Sequence, residues 1–297
     1  METNIETYLE NLRKIVESSL SALLEKIREE SPLYAAINYS LLGGGKRLRP
    51  IFTIATFEAN GNDISQVLPF AAAIEMVHTY SLIHDDLPIM DNSDYRRGKL
   101  TCHKVYGSDM ALLAGDALLS FAFEVITSRR LTELFNEGTL RWIAHEFAEY
   151  SGIRGLVGGQ VMDMVTMDSN DIDENIVLYI ERRKTASLFM LAVRVGGILS
   201  QVSEEELKNL TLFGENFGIS YQIRDDILDA TSTKEELGKD VGQDKKNKKA
   251  TFVSLYGVDK AAVLMNEYVE KAIDYLKPYG EKYQRLSDIV AFITKSI

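Results

Sequence analysis

The chain has 297 residues, 45% hydrophobic and 26% charged, a balance that suits a globular protein large enough to enclose a catalytic cavity. With 33 Lys+Arg against 44 Asp+Glu the net charge is -11, which excludes a general nucleic-acid binder, because phosphate contacts supply most of that affinity. The single cysteine, Cys102, excludes an internal disulfide framework and suits a reducing compartment.

The opening METNIETYLENLRK is acidic and amphipathic and lacks the basic start and apolar run of a secretory signal. No apolar stretch is expected to approach the roughly 18 to 20 residues needed to cross a bilayer. A cytoplasmic protein without a transmembrane segment is the expectation. Taking the chain in order, Ile5, Leu9, Leu12, Val16, Leu20 and Leu24 form one stripe that predicts an amphipathic helix ending before Ser31-Pro32. Repeated apolar spacing of three and four predicts further helices over 33–42, 48–60, 64–87, 109–128, 138–164, 174–199, 204–229, 251–276 and 281–295. No proline interrupts the run between Pro88 and Pro278. Ser203 with Glu206 has capping-box spacing, and Asn62-Asp63 and Ser108-Asp109 supply N-caps. No strand is expected. Polar stretches at 91–108 and 230–250 each follow an aspartate-rich helix end and are candidate lids. Nothing in the composition divides the chain, so one all-α domain over 1–297 is expected.

Two aspartate clusters carry the chemistry. In Tyr221-Gln-Ile-Arg-Asp-Asp-Ile-Leu-Asp229 the acids stand at i, i+1 and i+4, so a helix places them within about 100° of arc. Such repulsion needs a positive partner, and hard oxygen ligands suit magnesium better than zinc or copper. In His84-Asp-Asp-Leu-Pro-Ile-Met-Asp91 the third acid follows the first by six residues. A regular helix would turn Asp91 away from Asp85, whereas a helix ended by Pro88 can return it to the same site. Either cluster alone also reads as a solvated acidic helix end. Cations gather in Gly43-Gly-Gly-Lys-Arg-Leu-Arg-Pro50 and in Arg96-Arg97-Gly98, where Arg forks and Lys charges suit diphosphates. The basic stretch around Lys239, Asp244 and Lys249 alone reads as solvated surface.

GGGKRLRP, HTYSLIHDDLPIMDNSDYRRGKLTCHKVYG, LAGDALL, GLVGGQVMDM, KTASL, YQIRDDILD and LGKDVGQDKKNKKAT occur in the order found in the trans-prenyl diphosphate synthases. The chain resembles that family, and its bacterial farnesyl branch, along nearly its whole length. The resemblance implies an isoprenoid synthase fold: about ten helices around a central cavity, usually as a homodimer. It implies condensation of isopentenyl diphosphate with an allylic diphosphate, using several magnesium ions, for which manganese can substitute. By the same resemblance Lys46, Arg49, His78 and Arg97 hold isopentenyl diphosphate, and Arg96, Lys184 and Lys239 hold the allylic diphosphate. Asp85, Asp91 and Asp225 are implied as principal metal ligands, with Asp86 and Asp229 supporting them or binding through water. Lys184, Thr185 and Gln222 are implied to direct oxygen dipoles towards the allylic cation.

The family's chain-length floor falls at Tyr80 and Ser81. Ser81 lies one turn below Asp85, while an ideal wheel turns Tyr80 about 140° away. A tyrosine there implies a fifteen-carbon product, ahead of twenty or ten carbons. Ser93, Ala186 and Ala250 depart from the common pattern, and Lys295 stands alone near the end where a basic pair is frequent. Three other readings stay open: a class I terpene cyclase, a di-iron bundle suggested by Glu75-x-x-His78, and a non-catalytic synthase-like subunit. A metal phosphohydrolase, suggested by His84-Asp85, lacks a wider histidine set.

Overall fold

The computed structural model describes residues 4–167, 169, 171–232 and 249–295. The helices form where the apolar periodicity predicts them. Helix α1 (Ile5–Lys26) buries Leu12, Val16, Leu20 and Leu24, and Ser31 opens α2 (Pro32–Leu41) by accepting a hydrogen bond from the Tyr34 amide. Helix α3 (Leu48–Glu58) and α4 (Leu68–Asp85) follow, and α4 is buried along almost its whole length. After a short hairpin come α5 (Cys102–Tyr106), α6 (Ser108–Ile126), α7 (Glu137–Ser151), α8 (Leu156–Thr166), α9 (Glu174–Ile180) and α10 (Ser187–Leu199). The 28-residue α11 (Glu204–Thr231), α12 (Phe252–Tyr256), α13 (Val258–Leu276) and α14 (Gln284–Thr294) complete the order.

Helix α4 packs against α3 and α6, α10 against α3 and α11, and α11 against α13. Thus α11 is shared by two apolar clusters. Its first half gives Leu210, Phe213 and Phe217 to the larger cluster, where Phe52 and Phe217 meet at 4.7 Å between ring centroids. Its second half gives Ile219, Ile223 and Ile227 to a smaller one with Phe252 and Met265. Each such side chain contributes on the order of 1.5–3 kcal/mol on burial. The aspartates are thereby carried on a helix that cannot shift without disturbing both clusters.

Several expectations are corrected in detail. The helix expected over 138–164 divides into α7 and α8 at Gly152–Gly155, and that expected over 251–276 divides at Gly257 (φ 79°). The segment expected over 64–87 begins as a 3-10 turn, Ile64–Gln66, capped by Asp63, while that expected over 281–295 starts at Gln284 after another. The helix expected over 174–199 carries a π-helical turn, Glu181–Ala186. Ser203 caps α11 as expected, but the Glu206 carboxylate turns to Lys282 and Tyr283, and α6 opens at Gly107 with no side-chain cap. A strand pair does form: β1 (Tyr95–Arg96) and β2 (Lys99–Leu100) are antiparallel. Arg97 and Gly98 both have positive φ (54° and 76°), the backbone of a two-residue turn matched to strand twist. The segment from Ser108 is, by length and composition alone, apolar enough to cross a bilayer, contrary to expectation. In this fold Ala111, Ala114, Leu118 and Ala122 of α6 face the core.

Candidate active site: two joined chambers

A cavity of about 510 Å³ opens between the end of α4, α8, the π-turn and the second half of α11. Asp85 is the last residue of α4, and the chain then curls back so that the Asp91 amide donates to the Asp85 carbonyl at 2.9 Å. The six-residue spacing is thereby explained: both acids line one wall. Lys249 reaches Asp91 at 3.0 Å, so this residue belongs to the cavity rather than to solvated surface. Burial alone would raise the Asp91 carboxyl, but Lys249 and Lys184 outweigh it and hold Asp91 below its ordinary range. Burial raises Asp85, with Lys184 opposing. Asp86 faces away, held by the Arg96 fork at 2.7–3.0 Å. It supports Arg96, which itself lines the cavity.

The opposite wall is α11, with Tyr221, Gln222, Asp225 and Asp226; Asp229 is buried one turn further on, off the lining. Among the described residues no three metal-binding side chains converge closely enough to enclose an ion by themselves. Asp85, Asp91 and Asp225 instead form an open oxygen donor set across a cavity. This fits magnesium, which keeps waters and commonly completes its shell with phosphate oxygens.

The π-turn brings the third group. Lys184 donates to Asp163 at 2.6 Å; burial opposes its charge, but Asp163, then Asp85 and Asp91, raise its pKa. Thr185 donates to the Gln222 carbonyl oxygen, and the Gln222 amide donates to Asp226, both at 2.8 Å. Glycines clamp this turn from both sides. A Cβ on Gly159 of α8 would overlap the Lys184 backbone, and one on Gly218 of α11 would overlap Ala186. Gly218 therefore gives room for an alanine after Lys184-Thr185.

The apolar wall is Met90, Leu156, Val157, Val161 and Met164. Both Tyr80 and Ser81 line the cavity, although they stand on different sides of the α4 wheel relative to Asp85. The Tyr80 ring meets His84 edge-on at 5.8 Å, and its hydroxyl has no hydrogen-bond partner among the described residues. Burial, then Asp85, push its pKa up to about 12.

A second chamber of about 250 Å³ adjoins the first through shared Arg49, His78, Arg96, Arg97, Tyr221 and Asp225. Lys46 and Arg224 line it alone. Arg97 donates to the Gly44 carbonyl, and Arg49 lies 3.4 Å from His78 and 4.3 Å over the Phe189 ring. Burial, reinforced by Arg49, keeps His78 neutral, well below its ordinary pKa. Arg47 is different. Fully buried in a left-handed conformation (φ 54°), it donates to Glu75 at 2.6 Å and to the Leu41 carbonyl at 2.7 Å. It fixes the glycine-rich turn, and Glu75 is occupied by that pairing rather than by an iron site.

Of the residues singled out in the sequence, Lys46, Arg49, His78, Tyr80, Ser81, Asp85, Asp91, Arg96, Arg97, Lys184, Thr185, Gln222 and Asp225 meet around the two chambers. Asp86 and Asp229 stand behind them, and Lys239 lies outside the described residues. Sequence reasoning missed Asp163 and read Lys249 as solvated surface, whereas Asp226, expected on one face with Asp225, does line the cavity. The paired Gly158-Gly159 inside an apolar helix was the available signal for Asp163, because glycines there mark a close backbone approach.

A model of the polyprenyl synthetase family matches residues 30–292. The farnesyl diphosphate synthase of Bacillus subtilis (strain 168) is 41% identical, covering 98% of this chain and 99% of its own. A geranylgeranyl diphosphate synthase of Cyanophora paradoxa is 40% identical, covering 98% and 96%. A crystal structure of geranyltransferase from Helicobacter pylori, complexed with magnesium and isoprenyl diphosphate, superposes with a TM-score of 0.84 at 28% identity, covering 100% of this chain and 98% of that one.

Proposed function

From the premise that the chain belongs to the polyprenyl synthetase family, and is a prenyltransferase, we propose that the two chambers hold two diphosphates and that the product is farnesyl diphosphate. The observation that carries this reading is the joining of an acid-lined cavity, which has an apolar wall, to a cation-lined chamber. Isopentenyl diphosphate rests in the basic chamber on Lys46, Arg49, Arg97 and neutral His78. The allylic diphosphate lies against Arg96 and Lys184, with its hydrocarbon along Met90, Val157 and Met164.

Asp85, Asp91 and Asp225 would hold magnesium, or manganese in its place, and the bound ion would supply Lewis-acid stabilisation to the leaving diphosphate. Lys184, kept charged by Asp163, adds to that stabilisation. Thr185 and Gln222, locked by their mutual hydrogen bond, present oxygen lone pairs to the allylic cation. The isopentenyl double bond attacks, and the released diphosphate accepts the proton that completes the condensation. Dryness matters, since water would capture the cation. Tyr80 at the cavity wall limits chain growth and supports the fifteen-carbon product.

The whole chain acts as one domain, and pairs of chains assemble. Exposed Leu112 and Leu113 of α6 and Val165 of α8 support the homodimer. A cytoplasmic setting suits the buried free thiol of Cys102, which burial pushes up and makes unreactive.

The test is incubation with magnesium, isopentenyl diphosphate and, separately, dimethylallyl, geranyl or farnesyl diphosphate, followed by mass spectrometry. The expected result is linear fifteen-carbon accumulation from the first two primers. Twenty-carbon accumulation would overturn the product assignment, and no elongation from any primer would overturn the activity.

A further inference from the structure

The residue next to the second aspartate cluster does something that neither cluster explains. Arg224 precedes Asp225 on α11, and its side chain is 7% exposed. It lines the basic chamber and not the acid-lined cavity. Its Nε is buried and has no hydrogen-bond partner among the described residues, while Nη1 lies 3.5 Å from Asp225. Lys46, an exposed residue at the rim, lines the same chamber; partial burial of its ammonium, then Arg224, lowers its pKa. A buried guanidinium that lines a chamber beside a second cation is unfavourable unless an anion accompanies it. The long contact to Asp225 is a weak offset, and it leaves the guanidinium's remaining N–H groups for a ligand.

We propose that Arg224 is a further substrate-binding residue, donating from its guanidinium to the diphosphate of isopentenyl diphosphate opposite Lys46. This assignment rests on the functional reading above. It adds a cation from α11 to a chamber whose other cations come from the glycine-rich turn, α3 and the hairpin. Isopentenyl diphosphate then bridges the glycine-rich turn, α3 and α11.

The competing role is purely structural: Arg224 would only orient Asp225. The two roles separate in Arg224→Gln. Isothermal titration of metal-depleted protein with isopentenyl diphosphate should show affinity weakened roughly tenfold or more, the worth of one charge-assisted contact. In steady state the KM for isopentenyl diphosphate should rise by a similar factor. The KM for geranyl diphosphate and the half-saturating magnesium concentration should stay within about twofold. Arg224→Lys should recover part of the loss, and circular dichroism melting should show both variants folded.

Unchanged isopentenyl diphosphate affinity in Arg224→Gln overturns the assignment. So does a raised magnesium requirement at unchanged isopentenyl diphosphate affinity, which would make Arg224 a positioning residue for Asp225. If the unaltered protein binds no isopentenyl diphosphate, the functional reading falls, and this assignment with it.

Discussion

The two chambers share six lining residues yet have opposite characters. In the larger, the cations are already engaged: Lys184 with Asp163, Lys249 with Asp91 and Arg96 with Asp86. A diphosphate entering there meets Asp85, Asp91, Asp225 and Asp226 and needs a metal between. In the smaller, Glu75 pairs closely with Arg47 and more distantly, at 3.9 Å, with Arg97, while Lys46, Arg49 and Arg224 also face the space and Asp225 is the other acid lining it. A diphosphate can bind there directly. The difference teaches that the number of charges in a motif matters less than which of them the fold has already paired.

The comparison breaks most severely if the acids of the larger cavity are dispensable. Asp85→Ala and Asp225→Ala should each lower kcat by at least roughly a thousandfold while circular dichroism retains the helical signal. Near-normal turnover in either would remove the metal from the account. Asp163→Asn tests the pairing of Lys184. Because that contact holds the ammonium in place, kcat should fall on the order of 10- to 100-fold, with the KM for isopentenyl diphosphate little changed. An equal rise in that KM would show that the chambers are not separable.

Tyr80→Ala sharpens the apolar end of the cavity. Mass spectrometry should find products longer than in the unaltered protein, and an unchanged length would move the floor elsewhere. The smallest effect concerns His78. Its folded pKa lies well below the ordinary value because of burial, then Arg49. On acidification through about pH 6.5 the unfolded chain takes up a proton that the folded chain refuses, so its contribution to stability is lost as pH falls. Ring resonances followed by NMR should show no His78 midpoint near 6.5. A midpoint there would place a charged imidazole in the basic chamber.

Much of this was legible before folding. The spacing Asp225, Asp226, Asp229 gives one helical face directly, and apolar periodicity gives α1 and α11. The positions that resisted reading depend on contacts between distant segments. Lys249 reads as surface until the loop after α4 brings Asp91 to it, 158 residues away in sequence. Arg47 looks equivalent to Lys46 and Arg49 until its positive φ points it at Glu75. The hairpin at 95–100 was hidden because Arg97-Gly98 reads as a phosphate-binding pair. Its turn geometry is set by two positive φ angles that no periodicity reports. Helix breaks at Gly152–Gly155 and Gly257 were masked by apolar spacing that continues across them.

The most direct test of the account is calorimetric titration of the unaltered protein in excess chelator, first with isopentenyl diphosphate and then with geranyl diphosphate. The account predicts that isopentenyl diphosphate binds without metal, through the cation-lined chamber, and that geranyl diphosphate binds tightly only after magnesium is restored. Metal-independent binding of geranyl diphosphate, or metal-dependent binding of isopentenyl diphosphate, would contradict it.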